Sequence, residues 1–389
     1  MPNTTPTPPI EPSWISQPLE PSAALSRFRG CLLAGAVGDA LGAAVEFMPR
    51  SAILRQFGDA GITDYAPIYG GLGRITDDTQ MTLFTAEGLL RSVVRARCRG
   101  MVSVNSVMAY AYLRWLQTQG EVCKMHPDKD TSGWLMQQPA LHSLRAPGGT
   151  CLSALRNMER IGCTATNNSK GCGGVMRVAP AGLVAWRQDE SVFGAFAWGT
   201  DFSALTHGHP SGSLTGGVLA ALVFALIDGA TLPEALATAK AILQTRQHHE
   251  ETLAALELAE KLAASHTPDT PAHEAIAQLG EGWVAEEALA IAVYCALVAR
   301  DLEHAIVLAV NHNGDSDSTG AIVGNLLGAL HGDSAIPARW LEPLELRDVI
   351  TEVAHDLYEF RDWQVGDYDY DDPAAEAEHL RICRKYPGG

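Results

Sequence analysis

Apolar side chains recur at helical spacing along most of this 389-residue chain. The first such stretch repeats them at steps of three and four residues, at Leu25, Phe28, Leu32 and Leu33, then Val37 and Leu41. Runs that alternate polar and apolar residues between turns, as strands of a half-buried sheet do, are almost absent. The pattern therefore predicts an all-α protein with little room for a sheet.

The same periodicity continues towards the C-terminus. It predicts further helices over 79–96, 103–117, 191–205, 212–228, 232–243, 250–264, 284–299, 302–310, 318–330 and 346–360. Small residues are dense over 35–44 and 211–221, which permits helices to cross closely. The segment 121–150 is rich in Pro, Gly, Asp and Lys, so we interpret it as a long loop and a candidate lid.

The N-terminal segment 1–22 has a different composition. Its seven prolines and few apolar groups cannot form a helix or a core, so we expect a flexible Pro-rich arm. Trp14, Ile15 and Leu19 could anchor this arm on the protein or on a partner, although a disordered tail is the simpler interpretation.

Charge and composition exclude several classes of function. The net charge of −17 and the pI near 5.1 argue against an extended surface for nucleic acid or anionic membrane. No stretch approaches the roughly 20 apolar residues of a membrane span, and the N-terminus lacks a secretory signal. The eight cysteines form no C-x-x-C pair, so reduced thiols and a cytoplasmic protein are expected.

Two short acidic runs interrupt the apolar pattern, TDDT at 76–79 and DSDST at 315–319. Asp77 and Asp78 are adjacent and would repel each other in a packed site, so a positive charge must offset them. Carboxylate and hydroxyl ligands, without paired thiolates or imidazoles, favour Mg²⁺ or Mn²⁺. Each run could also be an ordinary helix N-cap, but together they contain more acids than two caps use, and capping and ligation can coexist.

Three further motifs are weak when taken singly. GDALG at 38–42, followed by Glu46, could end a helix with a buried polar contact. GCGGVMR at 171–177 is either a tight turn or a turn whose N–H groups cradle a phosphate. THGH at 206–209 could add a hydrogen-bond donor to the same anion, or it could be an interhelical loop.

The order of these motifs resembles the ADP-ribosylglycohydrolase family, also called the dinitrogenase-reductase-activating glycohydrolase family. The resemblance runs from FRGCLLAGAVGDALG with Glu46, through TDDT, GCGGVMR and THGHP, to GDSDSTG, and covers about residues 27–332. It implies a compact orthogonal bundle of many helices around a central dinuclear metal cleft. We therefore expect 23–389 to form a single all-α domain of this family.

The resemblance also implies site residues. Two Mg²⁺ or Mn²⁺ ions would be held by both acidic runs, at Thr76, Asp77, Asp78, Asp315, Asp317 and either Ser318 or Thr319. The acids assigned to catalysis are Glu46, Asp77, Asp78 and Asp317. ADP-ribose would contact Glu46, Gly171, Cys172, Gly173, Gly174, Val175, Met176, His207 and Trp283. Two positions depart from the family pattern, because many members have asparagine in place of Cys172 and threonine in place of Ser318.

The implied function is metal-dependent hydrolysis of the bond between ADP-ribose and a modified protein side chain, most often arginine. Serine-linked ADP-ribose, free poly(ADP-ribose) and O-acetyl-ADP-ribose are alternatives within the class. A different role is that of an immunity protein, which would neutralise an ADP-ribosyltransferase toxin by reversing its modification or by occluding it with the N-terminal arm. A third is an inactive ADP-ribose sensor, suggested by Cys172 and Ser318.

Overall fold

The computed structural model describes Trp14 and residues 19–267, 269–366 and 371–388, which form seventeen α-helices and no β-strand. In chain order the helices are Pro21–Gly42 (α1), Arg50–Phe57 (α2), Asp77–Arg99 (α3), Val104–Thr118 (α4), Gly149–Arg156 (α5), Ala179–Arg187 (α6), Val192–Ala204 (α7), Pro210–Ile227 (α8), Leu232–Gln244 (α9), Glu250–Ala264 (α10), Ala272–Leu279 (α11), Ala285–Val298 (α12), Leu302–Val310 (α13), Ser316–His331 (α14), Ala338–Leu341 (α15), Arg347–Glu359 (α16) and Pro373–Lys385 (α17). Short 3₁₀ turns cover Leu135–Gln137, Pro139–Leu141, Cys172–Gly174, Asp333–Ala335 and Phe360–Asp362. The prediction of an all-α protein is confirmed.

Every long predicted helix is present, and α13 has the predicted bounds. Helices α2, α5, α6, α11, α15 and α17 lie outside the predicted spans. Most of them are shorter than ten residues, so they contain too few turns for a periodic pattern to stand out. The longest of them, α17, is mostly exposed and buries Ala375 and Ile382 alone among its residues.

Helices α1 and α14 pack against each other through small residues spaced four apart. Positions 30, 34, 38 and 42 of α1 lie against positions 328, 324, 320 and 316 of α14, which is an antiparallel pairing. A Cβ atom built on Gly38 would fall 1.9 Å from the carbonyl oxygen of Gly320, so the two backbones are in direct contact. This contact places the C-terminal end of α1 beside the N-terminal end of α14.

Helix α8 is long and apolar enough to cross a membrane by length and composition, but 89% of it is buried inside the protein. No such stretch was expected from the sequence. The helix is packed by α6, α7 and α9 and is buried along nearly its whole length. Helix α8 is therefore explained as a core helix.

Trp14 is the part of the segment 1–18 that the structure describes, and it packs on the protein. Its ring is buried, and its indole Nε1 donates to Asp228 Oδ2 at 2.7 Å, just after the end of α8. Trp186 donates to the other oxygen of Asp228 at 3.0 Å. The rest of the predicted arm up to residue 18 lies outside the described residues, so the arm and the domain boundary at residue 23 stay predictions.

Candidate active site

Helix α3 begins with the first acidic run. Thr76 is the N-cap, and its hydroxyl accepts a hydrogen bond from the N–H of Asp78 at 3.3 Å. Asp77 and Asp78 are buried in the first turn, where the helix dipole favours negative charge. Asp77 Oδ2 also accepts from the N–H of Gly148 at 3.1 Å. The run thus starts the helix and also holds two carboxylates in a buried position.

A further carboxylate, Asp39 of α1, holds the start of α3 in place. It is fully buried and accepts hydrogen bonds from the N–H of Thr76 at 3.0 Å, from the N–H of Thr79 at 3.1 Å and from the Thr79 hydroxyl. Burial and the charge of Asp317 raise the pKa of Asp39 to about 7, although the hydrogen bonds from Thr79 and Thr76 oppose this shift. Asp39 therefore links α1 to the first acidic run.

Helix α14 begins in the same way with the second acidic run. Asp315 is the N-cap and accepts from the N–H of Ser318 at 3.3 Å, and Asp317 accepts from the same N–H at 3.1 Å. The other oxygen of Asp315 accepts from Cys172 Sγ at 2.7 Å. Asp315 and Asp317 are both buried, so the second run also combines capping with buried negative charge.

The two candidate hydroxyl ligands of the second run have different surroundings. Thr319 is fully buried, and its hydroxyl lies 2.7 Å from the carbonyl oxygen of Ala309 and 2.9 Å from Nε2 of His312. The Ser318 hydroxyl contacts Met176 Sδ at 3.8 Å. These contacts hold Thr319 within the helix start and favour Ser318 as the hydroxyl available to a ligand.

Six buried carboxylates interact in this cleft, those of Asp39, Glu46, Asp77, Asp78, Asp315 and Asp317. Burial raises the pKa of Asp77, Asp78 and Asp317 well above the ordinary value, and neighbouring carboxylates raise it further. Burial and the charges of Asp317 and Asp315 raise the pKa of Glu46 to about 10. Segments far apart in the sequence therefore converge on one acidic cleft.

The donor set of this cleft fits hard divalent cations. Asp78 Oδ1 and Glu46 Oε2 are buried and have no hydrogen-bond partner among the described residues. A buried carboxylate oxygen without a donor is costly unless a cation shares the site. Carboxylate and hydroxyl oxygens are the ligands that Mg²⁺ and Mn²⁺ prefer.

The segment that leads into α3 is fixed by Glu345, which lies before α16. Its carboxylate accepts from Arg74 Nη1 at 2.5 Å and from Arg145 Nη1 at 3.1 Å. The carbonyl oxygen of Arg145 accepts in turn from the N–H of Asp77 at 3.1 Å. Arg145 belongs to the segment 121–150 that we interpreted as a candidate lid, and this end of the segment is tied to the acidic cleft.

The predicted phosphate loop lies beside Trp283. Gly171 and Val284 form an isolated antiparallel bridge, and the N–H of Cys172 donates to the carbonyl oxygen of Trp283 at 3.2 Å. The N–H of Gly171 donates to Ser169 Oγ at 3.3 Å. The N–H groups of Val175 and Met176 both donate to the carbonyl oxygen of Cys172, at 2.9 and 3.2 Å, so four of the predicted phosphate donors are bonded within the protein. The later loop positions are buried, namely Gly173, Gly174, Val175 and Met176.

His207 packs beneath this loop. A Cβ atom built on Gly171 would lie 3.4 Å from His207 Nε2, and one built on Gly173 would lie 3.3 Å from its Cε1. Burial and the positive charge of Arg177 lower the pKa of His207 to about 3, so the ring is neutral at physiological pH. A Cβ on Gly173 would also fall 2.8 Å from Cys151 Sγ, so a side chain there would press on its neighbours, whereas one on Gly171 would make ordinary contacts.

Aromatic side chains line the rim of the cleft. Phe47 follows Glu46, is 72% exposed and stacks on Trp283, with ring centroids 5.8 Å apart and an interplanar angle of 20°. Tyr69 is partly exposed, and burial together with the charges of Glu46 and Asp317 raises its pKa to about 12. The rim thus offers flat apolar surfaces directly beside the carboxylates.

Sequence reasoning noted Asp39 only as part of the GDALG motif, and it missed four other residues that the structure brings to this site, namely Phe47, Tyr69, Arg145 and Glu345. Phe47 could have been predicted from the sequence, since it directly follows Glu46 and an aromatic side chain at that position can contact the ligand. Arg145 and Glu345 could not have been, because each lies in a segment without a recognisable motif and they meet only in three dimensions.

Comparison with known proteins agrees with this arrangement. A family model described as ADP-ribosylglycohydrolase matches residues 20–365. ADP-ribosyl-dinitrogen reductase glycohydrolase of Rhodospirillum rubrum is 26% identical over 82% of this chain and 91% of its own length. ADP-ribosylarginine hydrolase Tri1 of Pseudomonas putida is 26% identical over 90% of this chain and 84% of its own length.

A solved structure of an ADP-ribosylglycohydrolase-related protein complex has the same fold. It superposes with a TM-score of 0.63 and 27% identity, covering 87% of this chain and 99% of that one. The helical architecture, the match over 20–365 and the named relatives agree with one another. The chain therefore belongs to the ADP-ribosylglycohydrolase family and is a hydrolase of glycosyl bonds to ADP-ribose.

Proposed function

We propose that this protein removes ADP-ribose from modified arginine side chains, using two Mg²⁺ or Mn²⁺ ions. The observation that supports this most directly is the acidic cleft, in which Asp78 Oδ1 and Glu46 Oε2 are buried without a hydrogen-bond partner among the described residues. The ions would be held by Thr76, Asp77, Asp78, Asp315, Asp317 and Ser318.

The preference for arginine follows from charge. An arginine linked to ADP-ribose keeps a cationic guanidinium, whereas a linked serine is neutral. A cleft lined by carboxylates attracts the cation more strongly. The relative from Pseudomonas putida is named as an ADP-ribosylarginine hydrolase, which supports the same choice.

Cleavage at the anomeric carbon of the ribose needs a proton for the leaving nitrogen and an activated water. Bound divalent ions would supply Lewis-acid chemistry, orienting the ribose hydroxyls and lowering the pKa of a water molecule. Glu46 is the acid that we assign to proton transfer, because it is buried beside the carboxylates of both acidic runs. The stacked rings of Phe47 and Trp283 offer a flat surface for the nucleotide at the rim.

The test measures release of free ADP-ribose from arginine-, serine- and cysteine-linked substrates with Mg²⁺, with Mn²⁺ and with a chelator. We expect turnover of the arginine linkage with either metal and none with the chelator. Asp77→Asn should lower the rate at least about 100-fold, since metal stabilisation of the transition state amounts to several kcal/mol. Asp59→Asn, at an exposed aspartate, is the matched control and should retain the wild-type rate.

Each alternative has its own outcome in this experiment. Full turnover with the chelator would rule out the metal dependence, and faster turnover of the serine linkage would rule out the arginine preference. Binding of ADP-ribose without turnover would identify a sensor. The toxin-directed role stays a prediction, and the arm residues 1–13 and 15–18 on which its occlusion form depends lie outside the described part of the chain.

A further inference from the structure

Two cysteines and a histidine lie together at the opposite end of α3 from the acidic cleft. Cys98 is in the last turn of α3, and His379 and Cys383 are one turn apart on α17. One ligand atom from each of the three residues lies within 4.8 Å of the other two. Because α3 rises about 1.5 Å per residue, this cluster is about 30 Å from Asp77.

The separation of the two sulfurs matches a tetrahedral zinc site. Zinc bonds of about 2.3 Å to sulfur and about 2.0 Å to nitrogen place two sulfurs about 3.8 Å apart, and a sulfur and a nitrogen about 3.6 Å apart. Here the Sγ atoms of Cys98 and Cys383 are 3.9 Å apart, and Cys383 Sγ is 3.8 Å from His379 Nε2 and 3.9 Å from its Nδ1. The N–H of Gly366 donates to Nδ1 at 3.3 Å, so binding of the ion breaks this hydrogen bond and turns one ring nitrogen towards the sulfurs. We propose that Cys98, His379 and Cys383 bind one Zn²⁺ ion, with water as the fourth ligand.

The surroundings suit this ion. Cys98 is exposed while His379 and Cys383 are half-buried, so an ion can reach the cluster and a water can complete its coordination. Sulfur and imidazole ligands select zinc over the magnesium and manganese expected in the acidic cleft.

A disulfide between Cys98 and Cys383 is the competing interpretation. Their sulfurs are 3.9 Å apart, the separation of two unbonded thiols in contact. A disulfide would also leave His379 without a part in the cluster. The third ligand, placed one helical turn before Cys383, therefore favours the metal.

Zinc at this position would fasten the C-terminal helix. Helix α17 lies beyond the region 20–365 that matches the family model. It is also held by the Tyr386 hydroxyl, which donates to Asp356 at 2.5 Å, and by the carbonyl oxygen of Lys385, which accepts from the N–H of Trp134 at 3.1 Å. The ion would add a bond from α17 to α3 that is independent of catalysis.

The test titrates the full chain with Co²⁺, an optical probe for zinc sites. The protein is reduced, stripped with a chelator and saturated with Mg²⁺, so that the acidic cleft is occupied before Co²⁺ is added. We expect one Co²⁺ per chain with thiolate-to-cobalt charge-transfer absorption, and displacement of that ion by Zn²⁺. Cys98→Ser and Cys383→Ser should each weaken binding by roughly 100-fold or more, since loss of a second-shell partner alone costs about 10–100-fold.

Cys163→Ser is the matched control, because Cys163 is an exposed cysteine outside the cluster, and it should bind Co²⁺ like the wild type. Absence of thiolate-to-cobalt absorption in the wild type would overturn the proposal whether or not the variants fold. Unchanged binding in both cysteine variants would overturn it as well. A mapped Cys98–Cys383 disulfide with no Co²⁺ uptake after reduction would identify a redox pair instead.

Discussion

Among individual side chains, Asp39 has the widest structural influence on the acidic cleft. It belongs to α1, yet its carboxylate accepts hydrogen bonds from the backbone at the start of α3. The same turn carries Asp77 and Asp78, so the position of two proposed ligands depends on a residue that is not itself one of them. A carboxylate that accepts several N–H bonds in this way acts as a helix cap supplied from another element.

Asp39→Asn should therefore destabilise the protein. The amide keeps the size of the side chain but presents an NH₂ donor towards N–H groups, which leaves at least one buried donor unpaired. We expect the free energy of unfolding to fall by about 1–3 kcal/mol, measured by urea titration with Mg²⁺ present. The exposed Asp59→Asn should change it by less than about 0.5 kcal/mol, and equal stability of the two variants would contradict the capping role.

His207 should make stability depend on pH. Its pKa is lowered from 6.5 to about 3 in the folded protein. Between these two pH values the unfolded state binds a proton at this residue and the folded state does not. The contribution of this residue to stability is present above pH 6.5 and is lost as the pH falls towards 3. Urea titrations between about pH 4 and 7 should show the stability difference between wild type and His207→Asn shrinking with acidification. A constant difference would argue against the buried neutral ring.

Between helices, the contact of α1 with α14 determines how the two acidic runs meet. Glycine at 30, 38, 42, 320, 324 and 328 lets the backbones touch, and the antiparallel pairing puts Gly42 against Ser316. A Cβ atom built on Gly42 would fall 2.3 Å from the carbonyl oxygen of Ser316. The close approach of α1 and α14 therefore sets the distance between the acidic residues that the two helices carry.

Gly328→Ala tests this contact far from the carboxylates. Its Cβ would fall 2.1 Å from the carbonyl oxygen of Gly30, so the helices must separate. We expect a loss of about 2–3 kcal/mol in the free energy of unfolding, as for other overpacked cores. Gly149→Ala is the matched control, because nothing lies within 4 Å of a Cβ built there, and it should not destabilise the protein. Equal effects of the two substitutions would contradict the close packing.

Across the domain, helix α8 separates the glycine loop from the site where Trp14 packs. His207 and the glycine loop lie near its N-terminal end, whereas Trp14 and Trp186 share the carboxylate of Asp228 at its C-terminal end. Eighteen residues of helix span about 27 Å. Docking of Trp14 is therefore remote from the cleft, and its effect should be on stability.

Trp14→Ala is expected to lower the free energy of unfolding by about 1–3 kcal/mol, because it removes a buried ring and an indole hydrogen bond. The rate of ADP-ribose release should not change. Thermal melts and steady-state rates on the same preparation would check both statements. A tenfold loss of rate with unchanged stability would instead place the N-terminal segment in catalysis.

The helical periodicity was enough to predict the fold class, since apolar spacing reports directly on which face of a helix is buried. It placed α13 at its observed bounds but started the helix after the first acidic run at 79, because Asp77 and Asp78 look like a cap rather than part of a helix. The mostly exposed α17 gave no periodic signal. Local pattern thus identifies elements whose burial is one-sided and misses those held mainly by polar contacts.

The sequence alone indicated a site at the acidic runs, because carboxylates clustered within a few residues repel one another in any fold. It did not indicate which residues contact those carboxylates. Asp39 reaches α3 from α1, Glu345 meets Arg145 across 200 positions, and Phe47 stacks on Trp283 only after both chain segments have folded. The chemistry of a short motif depends on neighbouring residues and can be recognised from the sequence. Contacts between distant segments depend on how the helices pack, and that packing is determined by all the side chains of the core together.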